Sequence, residues 1–188
     1  NIKFKNLDNF FKITTSVNKD TLDNSIVNTI FENKLIIYTD GACRNNGKPS
    51  ATAGIGVYFA DDDDRNISER IDGKQTNQRA ELLAILKALQ QLNKKELIKY
   101  IIIYTDSEYS IKCITSYSKY WCKNNWKKKD GNDIKNIEII KELFKLYNRY
   151  SITFKHVRSH TNNTDIHSIG NAKADKLATI SLNNVFNP

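Results

Sequence analysis

The 188-residue sequence predicts an α/β protein built on one mixed sheet of five strands with flanking helices. Three observations support this fold class. The pentapeptide Ile-Ile-Tyr-Thr-Asp occurs twice, at 36–40 and 102–106, and its β-branched and aromatic residues are typical of buried strands. Three strand-like runs open the folded part as a meander, and later runs alternate with helical stripes. The predicted order is therefore β-β-β-α-β-α-α-β-α.

The predicted strands are short apolar runs bounded by turn residues. They cover 35–39, 53–59, 65–71, 100–105 and 152–156. Asp40 and Gly41 begin a turn that runs to Pro49, and glycines in the second strand indicate close backbone approach. Aspartates 61–64 fall at a hairpin tip. A solvated turn is the better interpretation of that run, because a mobile tip cannot fix ligand geometry.

The predicted helices show apolar residues at helical spacing. They cover 78–92, 107–116, 136–150 and 171–182. Glu81 falls on the apolar stripe of the first helix, four residues before Ile85, so burial of that face directs a carboxylate toward the sheet. The last helix is rich in alanine, and Asp175 lies on its inner side beside Ala174 and Ala178.

Acidic residues recur at the points where these elements meet. If the two pentapeptides form adjacent parallel strands, Asp40 and Asp106 lie together at the carboxyl edge of the sheet. Two carboxylates that close repel each other unless a cation lies between them. Glu81 at a helix start, Asp106 as a helix cap and Asp175 at the surface each have an ordinary structural explanation. Their common direction favours a metal site.

The charge balance indicates a polyanionic partner. The net charge is +8, although a merely soluble basic surface is the alternative interpretation. Between 117 and 131, aromatic residues alternate with lysines, a pattern that suits contact with a nucleic-acid backbone. The alternative is a solvated basic loop with Trp126 packed in the core.

The cysteines and the apolar runs indicate the cellular environment of the protein. Cys43, Cys113 and Cys122 form neither a CxxC pair nor an even set, which predicts free thiols in a reducing compartment. We expect an intracellular protein, nuclear or cytoplasmic, with organelle targeting left open. No apolar run approaches the ~20 residues that span a bilayer, so no membrane contact is expected. Residues 1–34 are interpreted as a linker or docking arm.

Five motifs in series resemble type 1 ribonuclease H. They are Tyr38-Thr39-Asp40-Gly41, Thr76-Asn77-Gln78-Arg79-Ala80-Glu81, Tyr104-Thr105-Asp106-Ser107, His156-Val157-x-x-His160 and Gly170-Asn171-x-x-Ala174-Asp175. The resemblance covers about 35–182. It implies the RNase H-like fold, a five-stranded mixed sheet with flanking helices, and a catalytic domain at 35–188.

The resemblance also implies an activity. It is endonucleolytic hydrolysis of the RNA strand of RNA–DNA hybrids, leaving 5′-phosphate and 3′-hydroxyl ends. By motif position, Asp40, Glu81, Asp106 and Asp175 would be metal carboxylates for two Mg²⁺ ions, with Mn²⁺ as a substitute. His160 would move protons on a loop. A monomer is expected.

The resemblance carries over to the substrate contacts. The implied substrate-binding residues are Asn46, Lys74, Thr76, Asn77, Gln78, Tyr117, Trp121 and Asn136. The amides at 46, 77 and 78 resemble RNA-strand readers that bond 2′-hydroxyls. Thr76 and Asn136 resemble a pocket for a DNA phosphate, and Lys74 stands where arginine is common. Tyr117 and Trp121 resemble aromatics that contact DNA sugars, and lysines in 123–129 resemble a basic protrusion.

Two departures from the family pattern concern the loop of His160. Arg158 and Ser159 stand where Pro-Gly is usual, and the loop 161–169 is longer than typical. Family members from nucleated organisms often carry a separate hybrid-binding domain, and residues 1–34 are too short for one. Two other hypotheses are an RNase H-like domain of a reverse transcriptase or transposase, and a non-catalytic hybrid-binding module. Retention of four carboxylates argues against the module, because negative charge disfavours phosphate binding.

Overall fold

The computed structural model describes residues 34–92, 100–158 and 164–183. Its single sheet contains β1 (Lys34–Arg44), β2 (Thr52–Tyr58), β3 (Ile67–Arg70), β4 (Tyr100–Thr105) and β5 (Ile152–His156). The spatial order is β3-β2-β1-β4-β5. The first three strands pair antiparallel, whereas β4 runs parallel to both β1 and β5. The predicted five-stranded mixed sheet is confirmed. The turn predicted to begin at Asp40 and Gly41 is wrong, because both residues pair with β2 and β1 continues to Arg44.

The helices pack on this sheet. They are α1 (Asn77–Gln90), α2 (Glu108–Lys112), a π-helical turn (Cys113–Tyr117), α3 (Ser118–Lys123), α4 (Ile137–Arg149) and α5 (Ile166–Ser181). No described helix is both long enough and apolar enough to cross a bilayer. The three cysteines are free thiols, as predicted. The segment 1–33, which includes nearly all of the predicted arm, lies outside the described residues.

The helix predicted over 107–116 does not end near Ser116. It continues to Lys123 through the π-helical turn. Nothing between 107 and 123 stops it, because this stretch contains neither glycine nor proline. The Ser118 hydroxyl donates to the Ile114 carbonyl oxygen at 2.6 Å inside the widened turn. Part of the predicted basic loop is therefore helical.

The last helix begins at Ile166 rather than Asn171. Asp165 caps it, since its carboxylate accepts backbone N–H bonds from the first turn. Gly170 therefore lies inside the helix. A Cβ there would come within 2.4 Å of the Tyr38 ring, so this glycine permits close packing rather than marking a boundary.

Two glycines of the sheet, one on β1 and one on β2, allow helices to pack closely on its two faces. Successive residues of a strand face opposite sides of the sheet. A Cβ at Gly41 would lie 2.4 Å from the Glu81 nitrogen at the start of α1. A Cβ at Gly56 would lie 2.0 Å from the Ala174 carbonyl oxygen in α5. Gly56 is the register partner of Asp40 on β1. Both helices therefore approach the sheet beside Asp40.

Candidate active site

The two pentapeptides lie side by side, parallel and in register. Ile36 pairs with Ile102, and Tyr38 pairs with Tyr104. The aspartates that end the copies consequently meet at the carboxyl edge of the sheet, as the sequence predicts. Carboxylate oxygens of Asp40, Asp106 and Glu81 all lie within 4.8 Å of one another. We call these three residues the acidic cluster.

Burial sets the charge state of the acidic cluster. Asp40 and Glu81 are each 6% exposed, whereas Asp106 is half-buried. Burial, followed by the charges of Asp106 and Asp175, raises the pKa of Asp40 to about 7. Burial, followed by the charges of Asp40 and Asp106, holds the pKa of Glu81 well above its ordinary value. The ionised form of the cluster is therefore destabilised, first by burial and then by repulsion between the carboxylates.

The acidic cluster fits a divalent cation. The Glu81 Oε2 atom is buried and has no hydrogen-bond partner among the described residues. An oxygen in that position costs free energy unless a cation or proton satisfies it. Converging carboxylate oxygens are the ligands that Mg²⁺ and Mn²⁺ prefer. The arrangement can hold a divalent metal ion.

The fourth predicted acid, Asp175, borders the acidic cluster. It is half-buried on α5, and its carboxyl group forms a hydrogen bond with Asp40 that helps raise the pKa of Asp40. Its oxygens are not among those within 4.8 Å of one another. The structure thus brings three predicted acids tightly together and places the fourth beside Asp40.

Predicted RNA-strand contacts lie at the start of α1. The Asn77 backbone N–H donates to Asn46 Oδ1 at 3.3 Å. The Asn77 side-chain amide donates to Glu81 Oε1 at 3.5 Å, which links this group to the acidic cluster. Gln78 and Lys74 are exposed nearby in sequence. The Asn77 amide therefore contacts the acidic cluster, and the Asn46 amide is held beside the Asn77 backbone.

Predicted DNA-strand contacts occupy the start of α1 and the residue before α4. Thr76 caps α1, and its hydroxyl accepts the Arg79 backbone N–H at 3.3 Å. Asn136 precedes α4 with a left-handed backbone, φ +57°. An ion pair between Arg79 and Glu138 joins the two helix starts. This pair links the two helix starts at which the predicted phosphate contacts Thr76 and Asn136 lie.

The predicted channel aromatics share one face of a helix. The rings of Tyr117 and Trp121 are 5.4 Å apart, and Tyr117 is 45% exposed. Trp121 is half-buried against the core. Trp126 also packs on the core, with its ring edge-on to Phe144 at 5.8 Å, which agrees with the core interpretation. The lysines at 123 and 127–129 are exposed.

Sequence reasoning missed the roles of two histidines. His156 Nε2 donates to the Asp106 carbonyl oxygen at 3.1 Å and so fixes the turn that carries this aspartate. His167, predicted to lie in a loop, is in α5 and contacts both pentapeptide tyrosines. Neither contact has a signal in sequence spacing, because each joins distant elements. The predicted proton-transfer residue, His160, lies outside the described residues.

Comparison with known proteins places the chain in a family. The RNase H family model matches residues 32–182. The chain belongs to the RNase H family. This confirms the resemblance to type 1 ribonuclease H, and the divalent-metal chemistry of an RNase H agrees with the acidic cluster.

Curated relatives of this chain differ in length. It is 40% identical over 144 residues to ribonuclease H1 of Mus musculus, covering 77% of this chain but 48% of the mouse protein. It is 37% identical over 147 residues to ribonuclease HI of Rickettsia conorii, covering 78% of this chain and 90% of that protein. The chain thus spans about half the length of the mouse relative.

A solved structure shares the fold of this chain. The solution structure of the PFV RNase H domain superposes with a TM-score of 0.59 at 28% identity. The match covers 79% of this chain and 94% of that domain. The likeness supports both the strand order and the family assignment.

Proposed function

We propose that this RNase H-family protein is an endoribonuclease that hydrolyses the RNA strand of RNA–DNA hybrids and leaves 5′-phosphate and 3′-hydroxyl ends. The observation that carries the proposal is the acidic cluster. Three carboxylates from distant parts of the chain converge within 4.8 Å, and two of them are buried. Relatives named ribonuclease H1 and ribonuclease HI, at 40% and 37% identity, support the same activity.

We propose that the cluster works with two Mg²⁺ ions, with Mn²⁺ as a substitute. Asp40, Glu81, Asp106 and Asp175 would hold them, and Asp175 would reach them from its position beside Asp40. Bound divalent cations would supply Lewis-acid stabilisation of the phosphodiester and acidify water. Asp40 and Glu81 keep their oxygens in a buried, fixed position for this purpose, and their raised pKa values mean that they lose protons when a cation binds.

The proposed substrate path runs from the start of α1 to α3. The amides of Asn46, Asn77 and Gln78 would bond 2′-hydroxyls and minor-groove edges of the RNA strand, which is how RNA is distinguished from DNA. Thr76, Asn136 and Lys74 would hold a phosphate of the DNA strand, and Tyr117 and Trp121 would pack on its sugars. The lysines at 123–129 would contact phosphates without sequence preference.

Several further proposals concern the protein as a whole. His160 is proposed to move protons near the reacting phosphate. We propose that the protein is a monomer that acts inside the cell, in the nucleus or cytoplasm. The free thiols agree with a reducing, intracellular location. A reverse-transcriptase origin is the competing proposal, but the 28% identity to the PFV domain is lower than the 40% to mouse ribonuclease H1.

The deciding experiment compares an RNA–DNA hybrid with double-stranded RNA, with and without Mg²⁺. We expect Mg²⁺-dependent cleavage of the hybrid alone, with 5′-phosphate and 3′-hydroxyl ends identified by labelling. Asp106→Asn should remove this activity while hybrid binding remains. Asp64→Asn is the matched control, since it makes the same chemical change on the exposed hairpin tip. Full activity of Asp106→Asn, or cleavage without a divalent cation, would disprove the proposal.

A further inference from the structure

His167 joins the two copies of the pentapeptide. Its Nδ1 lies 3.0 Å from the Tyr38 hydroxyl oxygen, and its Nε2 lies 3.0 Å from the Tyr104 hydroxyl oxygen. The imidazole stacks on the Tyr104 ring, with centroids 4.0 Å apart and planes 16° from parallel. The two tyrosines are register partners on β1 and β4 and stack on each other at 5.2 Å.

Each nitrogen of the His167 imidazole has a tyrosine hydroxyl as its hydrogen-bond partner. A neutral imidazole has one nitrogen that donates and one that accepts, and a tyrosine hydroxyl can do either. Both ring nitrogens are therefore satisfied without a charge. The ring has one polar contact at each nitrogen and one stacking contact, so reorientation of the ring would lose at least one of them.

His167 links three of the four elements that carry the acids, namely β1, β4 and α5. Tyr38 and Tyr104 each lie two residues before an aspartate of the acidic cluster. His167 lies eight residues before Asp175 on the same helix, a separation of about 12 Å at the usual rise per residue. One side chain thus joins α5 to β1, which contains Asp40, and to β4, which Asp106 follows.

The rest of the α5 interface is smooth near the site. Ala174 and Ala178 pack against Gly56, and Ser181 packs against Gly54. Small residues allow close approach, but they offer no bulky side chain that interlocks with the sheet and resists tilting. The orientation of a helix on such a surface depends on its directional contacts. Lys173 and the Leu177 carbonyl oxygen bond to Tyr58 and Ser68. The two hydrogen bonds of His167 tie the first turn of α5 to Tyr38 and Tyr104.

We propose that His167 is a positioning residue: its paired hydrogen bonds to Tyr38 and Tyr104 orient α5 and so set where Asp175 stands relative to Asp40 and Asp106. His167 touches none of these carboxylates, so it acts through the helix. The activity readouts of this inference rest on the proposed hydrolytic function. The cation-binding readout does not, because it needs no substrate.

Two substitutions separate the hydrogen bonds from the ring. His167→Phe keeps an aromatic ring on Tyr104 but removes both hydrogen bonds. His167→Gln keeps a donor and an acceptor at similar spacing but removes the ring. Misplacement by about 1 Å costs up to ~100-fold in rate. We therefore expect His167→Phe to lower kcat by about 10- to 100-fold at unchanged KM for hybrid, and His167→Gln to restore most of it.

The substrate-free measurement is calorimetric titration with Mn²⁺. We expect His167→Phe to weaken Mn²⁺ binding several-fold and His167→Gln to bind nearly as the unsubstituted protein does. Tyr104→Phe removes one of the same hydrogen bonds from the strand side. Its effect should not add to that of His167→Phe, because both variants lose the same interaction.

The matched control is another tether of the same helix. Lys173 on α5 contacts Asp61 and the Tyr58 hydroxyl group, and so ties the helix to the β2–β3 hairpin. Lys173→Met should lower the melting temperature without changing kcat or Mn²⁺ affinity. If it reproduced the His167→Phe pattern, general loosening of α5 would replace the positioning role.

The outcomes separate this inference from the proposed function. If the unsubstituted protein cleaves hybrid and His167→Phe matches it in kcat and Mn²⁺ affinity, His167 does not position the cluster and the proposed function stands. If the unsubstituted protein cleaves no hybrid, the proposed function fails, and Mn²⁺ affinity alone decides the role of His167. If His167→Phe does not fold, Tyr104→Phe decides: unchanged Mn²⁺ affinity in that variant overturns the inference.

Discussion

The two copies of Ile-Ile-Tyr-Thr-Asp have the same sequence but different surroundings. After Asp40 the strand continues to Arg44 and pairs with β2, so this aspartate is 6% exposed. In the second copy the strand already ends at Thr105, and Ser107 caps a helix, so Asp106 is half-buried. Identical residues therefore place two carboxylates in different environments. The residues that follow each copy, and their tertiary neighbours, decide burial and charge state.

The largest expected effect tests whether both copies serve the reaction while differing in stability. Asp40→Asn and Asp106→Asn should each lower hybrid cleavage by roughly 10³-fold or more, because each removes a charged oxygen from the site. Without divalent cations at pH 8, Asp40→Asn should raise the free energy of unfolding by about 2 kcal/mol, since it removes the more deeply buried charge. Asp106→Asn should raise it less.

Cleavage assays and urea unfolding in a chelating buffer check this pair. The unsubstituted protein and Asp64→Asn, on the exposed hairpin tip, serve as references. A larger gain in the free energy of unfolding from Asp106→Asn than from Asp40→Asn would contradict this prediction. It would mean that the half-buried carboxylate destabilises the metal-free protein more than the buried one does.

The next effect is a pH dependence of stability in the metal-free protein. The pKa of Asp40 is raised to about 7 in the folded state from an ordinary value of 3.8. Between these values the folded state binds more protons than the unfolded state, so the free energy of unfolding falls as pH rises from about 4 to about 7. Glu81, whose pKa is also raised, contributes with the same sign.

Thermal or urea unfolding from pH 4 to pH 8 in chelator measures this decline. Saturating Mn²⁺ should flatten it, because the cation stabilises the ionised carboxylates. Asp40→Asn should also remove much of it. A free energy of unfolding that rises from pH 4 to pH 7 in chelator would contradict the raised pKa of Asp40.

A smaller effect tests the residue that follows the first aspartate. A Cβ at Gly41 would lie 2.4 Å from the Glu81 nitrogen and 2.7 Å from the Ala80 carbonyl carbon, so α1 must shift in Gly41→Ala. We expect a loss of about 2 to 3 kcal/mol in the free energy of unfolding and weaker Mn²⁺ binding. Ser107→Ala, at the corresponding position of the second copy, should cost about 1 kcal/mol through its lost helix cap. Equal losses would show that close approach of α1 is not what distinguishes the first copy.

Local pattern was sufficient to predict the sheet and the convergence of acids. Two β-branched runs ending in aspartate predict parallel neighbours, and the apolar stripe after Glu81 predicts the face of α1 that meets them. The path of the last helix was not predictable in this way. Gly170 indicated a boundary, although its role is to approach the Tyr38 ring on a strand far away in sequence.

The candidate site was predictable where family motifs name the residue, and not where a contact joins distant elements. His156 and His167 both have partners far along the chain, on the turn of Asp106 and on the paired tyrosines. Hydrogen bonds of this kind depend on the assembled sheet and leave no periodicity. The π-helical turn was missed for a similar reason, because it widens a helix that contains no glycine or proline to announce it.

The smallest expected effect concerns the threonines of the two copies. Both are fully buried, but the Thr39 hydroxyl has no partner among the described residues, whereas Thr105 Oγ1 accepts the Ser107 backbone N–H at 3.2 Å. Thr39→Val should leave the free energy of unfolding unchanged or raise it slightly, because a buried unpaired hydroxyl is replaced by a methyl group of similar size. Thr105→Val should lower it by about 1 kcal/mol, since the Ser107 N–H loses its acceptor. Chemical unfolding of the two variants measures the difference directly. If Thr39→Val were the more destabilising change, the first copy would have a hydrogen-bond acceptor for that hydroxyl, and the contrast between the two strands would lie in burial of the aspartates alone.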